Sequence, residues 1–346
     1  MSAAVPTLAV IIPNFNYAHY LPEAIESVLS QVPPFDEIVV IDDGSTDNSL
    51  DVLARYAGQI RALRLDNGGQ LGACRAGLAA TTSDYIYSLD ADDYAAPGLV
   101  AQVRAALASR PAKVQFQLRG VGDAGADLGS IFPTFPLGYD AAAMRWDNAA
   151  LGFYVCPPTS GNVFSRAALA RLDLEALDPR GVIDGSPALA IPYLGDVVSI
   201  REPLAFYRVH GGSMSRWGEP TPELLRHEVH LFRKSWDEIV PALGPAAPPR
   251  PAAPLYIRER EMMTACLQGR LMVAPLVWRF VASLLRTHLP LKQKIVFAVW
   301  AAALLVPSAA LRTYCIRMKR SSVNRSRNLR LVLNAVMGSR STVSSG

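Results

Sequence analysis

At 346 residues the chain can hold one large α/β domain with an appendage, or two domains, and half of it is hydrophobic, high for a purely soluble enzyme. Its four cysteines (Cys74, Cys156, Cys266, Cys315) are scattered without a CxxC pair, which excludes a disulfide framework and a cysteine metal site and fits a reducing compartment. The net charge of +4 hides a split: residues 1–261 hold 21 Lys/Arg and all 30 Asp/Glu, whereas residues 262–346 hold 13 Lys/Arg and no acid.

No basic and apolar leader precedes Leu8, so no secretory signal is expected. Leu8–Ile12 reads as a buried strand closing on Pro13-Asn14-Phe15-Asn16, and Leu21–Gln31 follows with apolar residues at helical spacing. Glu37–Ile41 is a second strand, closing on Asp42-Asp43-Gly44-Ser45-Thr46-Asp47, and Asn48–Ala57 is its helix. Ile60–Leu65 is a third strand, after which Asn67-Gly68-Gly69 opens the helix Gln70–Ala80. The run Tyr85-Ile86-Tyr87-Ser88-Leu89 is the fourth strand and ends in Asp90-Ala91-Asp92-Asp93. On extended backbone Asp90 and Asp92 point the same way and offer two hard oxygen donors to a divalent cation; a turn or helix cap is the plainer alternative. Strands separated by helices predict a parallel sheet with right-handed crossovers.

The middle is less regular. Lys113–Leu118 alternates like a strand, and Gly120–Gly138 reads as a surface loop. Thr159–Arg166 precedes an Ala/Leu helix, and Asp184-Gly185-Ser186-Pro187 opens another. Val197–Ile200 and Leu204–Val209 read as short strands, the second running into Tyr207-Arg208-Val209-His210-Gly211-Gly212-Ser213-Met214-Ser215.

These motifs, in this order and each at a strand end, resemble the family 2 glycosyltransferases of GT-A fold, over roughly residues 7–215. The resemblance implies a Rossmann-like, mostly parallel sheet with flanking helices, a nucleoside-diphosphate sugar donor (UDP-linked as first choice), Mg2+ or Mn2+, and inversion at the anomeric carbon. It puts Pro13, Asn14, Phe15, Asn16, Asn67, Gly69, Asp90 and Ala91 at the donor, with Asp42 or Asp43 on the nucleotide base and Asp42 the first choice. Asp92 becomes the metal ligand, and His210 either a second ligand or a loop hydrogen-bonder. Asp184 matches the general base position, a helix N-cap being the alternative, although this chain has Asp-Gly where relatives commonly have Glu-Asp. Arg75 sits one residue beyond the family's diphosphate arginine, which leaves a solvent-facing role open. His227-Glu228-Val229-His230 is one residue short of HExxH and reads as a solvated helix face.

The expected organisation is a nucleotide-sugar half (1–110), an acceptor half (111–220), a helix with a Pro-rich linker (221–254) and a C-terminal apolar and basic helical region (255–346). In the last, Leu271–Leu285 reads as amphipathic, and Ile295–Leu311 is 17 residues long with Pro307 inside it. A single span would put the eight basic residues from Arg312 onward outside, against the positive-inside tendency. Interfacial helices on an anionic cytoplasmic membrane face are therefore expected, with a packed helical cap or an oligomer interface as alternatives and nucleic acid disfavoured by the apolar runs. The tail suggests a glycan or lipid-linked acceptor. The rival functions are a sugar nucleotidyltransferase, which would want a Gly-rich loop on the first strand, and a non-catalytic nucleotide-sugar-binding module.

Overall fold

Alternation of apolar strands with amphipathic helices produces a layered α/β unit in the computed structural model, which describes residues 5–211, 221–244, 247, 254–269, 273–287, 289, 291–306 and 308–320. The first elements are β1 (Leu8–Asn14), α1 (Leu21–Leu29), β2 (Glu37–Asp42), α2 (Ser49–Arg55), β3 (Arg61–Arg64), α3 (Gln70–Ala80) and β4 (Tyr85–Ser88). Then come β5 (Tyr94–Ala95), α4 (Leu99–Leu107), β6 (Lys113–Gly122), β7 (Asp127–Phe132), α5 (Ala141–Leu151), β8 (Asn162–Ser165), α6 (Arg166–Leu169), α7 (Ser186–Ala190) and β9 (Val197–Val209).

Among the described residues these strands form one sheet in the order β3-β2-β1-β4-β8-β6-β9-β5, with β7 paired to β6. β1 pairs in parallel with both β2 and β4, so the chain steps from β1 out to β3 and then returns to the other side of β1. Such a reversal opens a crevice at the C-terminal strand ends, where ligands of open α/β sheets bind. Both faces are covered, which is why β1 is buried at every position. Val10, Ile12, Ile25, Val28, Tyr87 and Val103 pack on one side, and Ile11, Val39, Ile41, Ala73 and Ile86 on the other. α3 lies close on β1 because Gly77 has no Cβ; one there would sit 2.5 Å from Ile11 Cγ2.

Beyond β4 the sheet is mixed. β8 runs antiparallel to β4 and β6, while β9 runs parallel to β6 over its whole length. The two short strands expected at 197–209 are one strand of 13 residues, continuous through Pro203 across register shifts against Phe116 and Gln117. Part of the expected surface loop after Gly120 is β7, a largely exposed hairpin partner of β6 that side-chain burial could not announce.

The chain divides into two units, Met1–Arg145 with Tyr154–Ser213 and Ser235–Pro248, and Trp146–Phe153 with Met214–Lys234 and Pro249–Gly346. Residues 1–110 and 111–209, expected as two halves of one domain, share one sheet, because β8 and β6 continue the hydrogen-bonded ladder from β4. For the region 221–254 the expectation is a helix and a Pro-rich linker. Its helix α8 (Pro222–Leu243) lends Leu225 to the core of the second unit and Ile239 and Leu243 to a cluster of the first. Most of the Pro-rich stretch lies outside the described residues.

The second unit is helical: α9 (Leu255–Leu267), α10 (Ala274–Leu285), α11 (Leu291–Ala303) and α12 (Ala309–Arg320). Leu151, Leu225, Met262, Met263, Phe280, Leu284, Trp300, Leu304 and Ile316 form its core, and Trp300 Nε1 donates to the Cys315 carbonyl at 3.0 Å. The apolar run Ile295–Leu311 is therefore not one helix: α11 ends at Ala303 and α12 starts at Ala309. Among the described residues no helix is long and apolar enough to cross a membrane. The basic end after Arg320 lies outside them.

Candidate active site

The four strand-end motifs meet at the crevice, and most of their polar atoms hold one another. Asn14 is buried and donates through Nδ2 to Asp42 Oδ1 and Ser45 Oγ, both at 3.2 Å. Asn16 adopts φ 60° and accepts through Oδ1 from the Thr46 N–H at 2.8 Å and the Asp47 N–H at 3.2 Å, pinning the β2 loop to the β1 loop. Of the Pro13–Asn16 set only Phe15 is exposed.

The two adjacent aspartates separate in role. Asp42 is 0% exposed; besides Asn14 it takes the Ser45 N–H at 3.2 Å, and Arg64 Nε lies 3.8 Å away. Both Asp42 oxygens are thus engaged by the protein, and so are both oxygens of Asp43. Asp43 instead points to the Asn67 loop, accepting the Gly68 and Gly69 N–H groups at 2.8 Å each. Gly44, at φ +76°, lets this loop close, because a Cβ there would stand 2.8 Å from the Asn67 nitrogen. The close approach expected at Gly69 is taken by protein: a Cβ there would meet Arg180 Cα at 2.6 Å and the Pro179 carbonyl at 2.9 Å. Gly72 N–H and Leu71 N–H complete that contact, donating to Pro179 and Gly181 carbonyls at 3.0 Å.

The carboxylates after β4 stand in a turn, closed by the Asp93 N–H on the Asp90 carbonyl at 3.0 Å, rather than on extended backbone. Ala91 turns into the core, away from the crevice. Asp90, Asp92 and Asp93 each offer one oxygen within 4.8 Å of the others. Asp93 is buried and braces the sheet: Ser160 Oγ donates to Oδ2 at 2.6 Å and Arg208 N–H to Oδ1 at 2.8 Å. Asp90 receives Gln70 Nε2 at 2.5 Å, while its own N–H donates to Ser160 Oγ at 3.0 Å. Asp92 Oδ2 lies 2.9 Å from His210 Nε2.

Burial, then the Asp92 charge, push the Asp90 and Asp93 carboxyls well above the usual carboxylate range. Three convergent carboxylates with uncompensated negative charge are what a hard divalent cation fits. Asp90 and Asp92 have the accessible oxygens, and His210 stands beside Asp92, edge-on to the Tyr17 ring with centroids 5.7 Å apart.

Asp184 lies in the loop before α7. Its Oδ1 accepts from Thr159 Oγ1 at 3.2 Å. The helix cap is Gly185 without any side-chain capping bond, so the N-cap alternative for Asp184 does not hold. Burial raises its carboxyl above the ordinary value, against the Thr159 hydrogen bond and the Lys113 charge, which lower it. Asp184 in turn adds to the charge felt by Asp90.

Residues 9–166 match the family model described as Glycosyl transferase family 2. An uncharacterized glycosyltransferase of Nostoc sp. is 35% identical over 215 residues, which is 60% of this chain and 66% of that one. Residues 9–166 form a glycosyltransferase family 2 domain. The hyaluronan synthase of Pasteurella multocida is 35% identical over 99 residues, covering 28% of this chain but 10% of its own length. A crystal structure of S. aureus TarS in complex with UDP-GlcNAc, 16% identical, gives a TM-score of 0.52 over 96% of this chain and 92% of that one, a likeness of GT-A fold.

Within this family 2 domain, Arg75 is not solvent-facing; its Nη2 donates to the Leu177 carbonyl at 2.6 Å, tying α3 to the loop before Asp184. Sequence reasoning missed Tyr17, Tyr20, Gln70, Lys113 and Ser160. Tyr17 is held protonated by burial and by Asp92 and Asp90, and burial and Asp123 push the Tyr20 hydroxyl up to about 12. Their only signal was nearness to a motif: Tyr17 follows Asn16 directly, and Ser160 precedes Asn162 on β8. The motif residues after Gly211 lie outside the described residues.

Proposed function

We propose that the protein transfers a sugar from a nucleoside-diphosphate sugar, UDP-linked, to a hydroxyl of a glycan or lipid-linked acceptor, with inversion at the anomeric carbon. The observation that carries this reading is the Asp90-Asp92-Asp93 turn beside the β1 reversal, with Asp184 electrostatically coupled to it. Relatives named for polysaccharide synthesis and a fold neighbour holding UDP-GlcNAc support the donor class.

In this reading Asp92, with Asp90 and His210, holds Mg2+ or Mn2+, which when bound neutralises the leaving diphosphate. Asp42 or Asp43 meets the nucleotide base, exchanging its donors from the protein for the ligand. Asp184 takes the proton of the attacking acceptor hydroxyl, and its raised carboxyl is a better proton acceptor for that than an ordinary one. Inversion follows from one displacement with base and leaving group on opposite faces of the sugar. A donor screen on the purified protein, reading nucleotide release with and without Mn2+ and acceptor, tests the proposal. Pyrophosphate release from a nucleoside triphosphate would instead mark a nucleotidyltransferase, and binding without turnover of any donor a binding module.

We further infer work at the cytoplasmic face of an anionic membrane. On α10, Trp278 is 73% and Leu285 65% exposed, on the face next to the buried Val277, Phe280 and Leu284. Leu291 and Ile295 on α11 are exposed as well, and Lys294 Nζ bonds the Leu285 carbonyl at 3.2 Å, which brings the two helix ends together. Exposed Arg279 and Arg286 flank this apolar face in a region without acids.

A further inference from the structure

We propose that Lys113, buried on β6, is a positioning residue for Asp184: it holds the Asp184 loop through two hydrogen-bonded arms and supplies the buried positive charge that loop faces. The proposal rests on Asp184 being the general base.

Lys113 is 0% exposed. Its Nζ donates to Gln115 Oε1 at 3.1 Å, Tyr154 OH at 2.8 Å and Cys156 Sγ at 3.1 Å, and it lies 5.1 and 5.5 Å from the ring centroids of Tyr154 and Phe164. All three acceptors are neutral, and Lys113 forms no ion pair among the described residues. A buried ammonium without a carboxylate partner is costly, so its charge calls for a complement elsewhere.

One arm ends on α7, just after Asp184, and the other on Asp184 itself. Tyr154 OH accepts from Lys113 and donates to the Ala188 carbonyl at 2.9 Å, gripping α7, which begins just after Asp184. On the other side Cys156 Sγ stands 3.6 Å from Asn162 Oδ1, and Asn162 Nδ2 donates to the Thr159 carbonyl at 3.3 Å. Thr159 Oγ1 then donates to Asp184 Oδ1.

The titratable groups facing Asp184 are Lys113 on β6, Asp90 after β4, Cys74 on α3, and Tyr154 and Cys156 before β8. Lys113 is the cation of that set. Burial raises Asp184 and lowers Lys113, whereas each charge steadies the other. Removing the ammonium therefore raises the pH at which Asp184 becomes ionised and competent as a base.

Lys113→Met, which keeps an unbranched side chain between the two rings, tests this in the full-length protein. Carboxyl-carbon NMR, with the Asp184 signal assigned by its loss in Asp184→Asn, should show the Asp184 titration moved to higher pH. The acid limb of kcat should move with it to higher pH, while donor KM should stay within about twofold. A purely structural lysine would lower thermal stability and leave both profiles in place. An unmoved Asp184 titration in folded Lys113→Met overturns the proposal, whereas full turnover in Asp184→Asn overturns the base assignment alone. If Lys113→Met does not fold, Tyr154→Phe cuts one arm and keeps the charge. It should lower kcat without moving the acid limb, and unchanged kcat overturns the positioning role.

Discussion

Asp92 carries the accessible carboxylate beside His210, and its replacement by Asn keeps the shape while removing the charge. Calorimetry should find Asp92→Asn folded but without metal-dependent UDP binding; unchanged UDP and Mn2+ affinities would dismiss Asp92 as the ligand. Asp90 gives a pH-resolved test. Its folded-state carboxyl is raised, so the folded protein binds more protons than the unfolded one between the ordinary carboxylate value and the raised one. The cluster's cost is then fully present above the raised value and disappears as pH falls through it toward the ordinary one. Asp90→Asn should raise the metal-free Tm at neutral pH, by roughly 2–4 °C for each kcal/mol relieved, with the gap to wild type closing near pH 4. Divalent metal should raise the wild-type Tm more than the variant's. At Asp184, exchange for Asn should leave donor affinity nearly intact and cut turnover by about 10²–10⁴-fold, as single-turnover kinetics would read.

α10 is the helix whose two faces are both apolar, and the two faces have different fates. Val277, Phe280 and Leu284 sit in the core of the second unit, while Trp278 and Leu285 face outward. The double substitution Trp278→Ser with Leu285→Ser should leave folding intact and lower sedimentation with anionic vesicles several-fold, without abolishing the electrostatic part. Equal sedimentation would assign binding to the basic charges alone, and a wild-type dimer lost in the variant would mark the face as a protein interface.

Across the whole molecule, the second unit is a packed helical body and not a detachable tail. Leu151 and Leu225, from upstream of residue 254, are buried among Met262, Phe280 and Trp300. A chain ending at Pro254 would leave them without that core, so size-exclusion chromatography should show aggregation rather than a soluble enzyme. A monodisperse product would show that the first unit tolerates the loss.

The sequence by itself determined the order of the elements through β4 and the convergence of their ends, because hydrophobic runs closing on Gly, Asn and Asp are local signals. It also determined the charge split, which needs no structure to count. Tertiary structure decided which of Asp42 and Asp43 turns inward, since two adjacent carboxylates differ only in which loop supplies their donors. It made Gly69 a seat for Arg180 and Arg75 a tie to Leu177, contacts with a loop about a hundred residues away. It also joined Lys113 to Asp184, because burial without a salt bridge leaves no trace in composition or spacing. Finally, it divided the apolar tail into a core face and an exposed face, a choice that depends on which neighbouring helices are there to cover each residue.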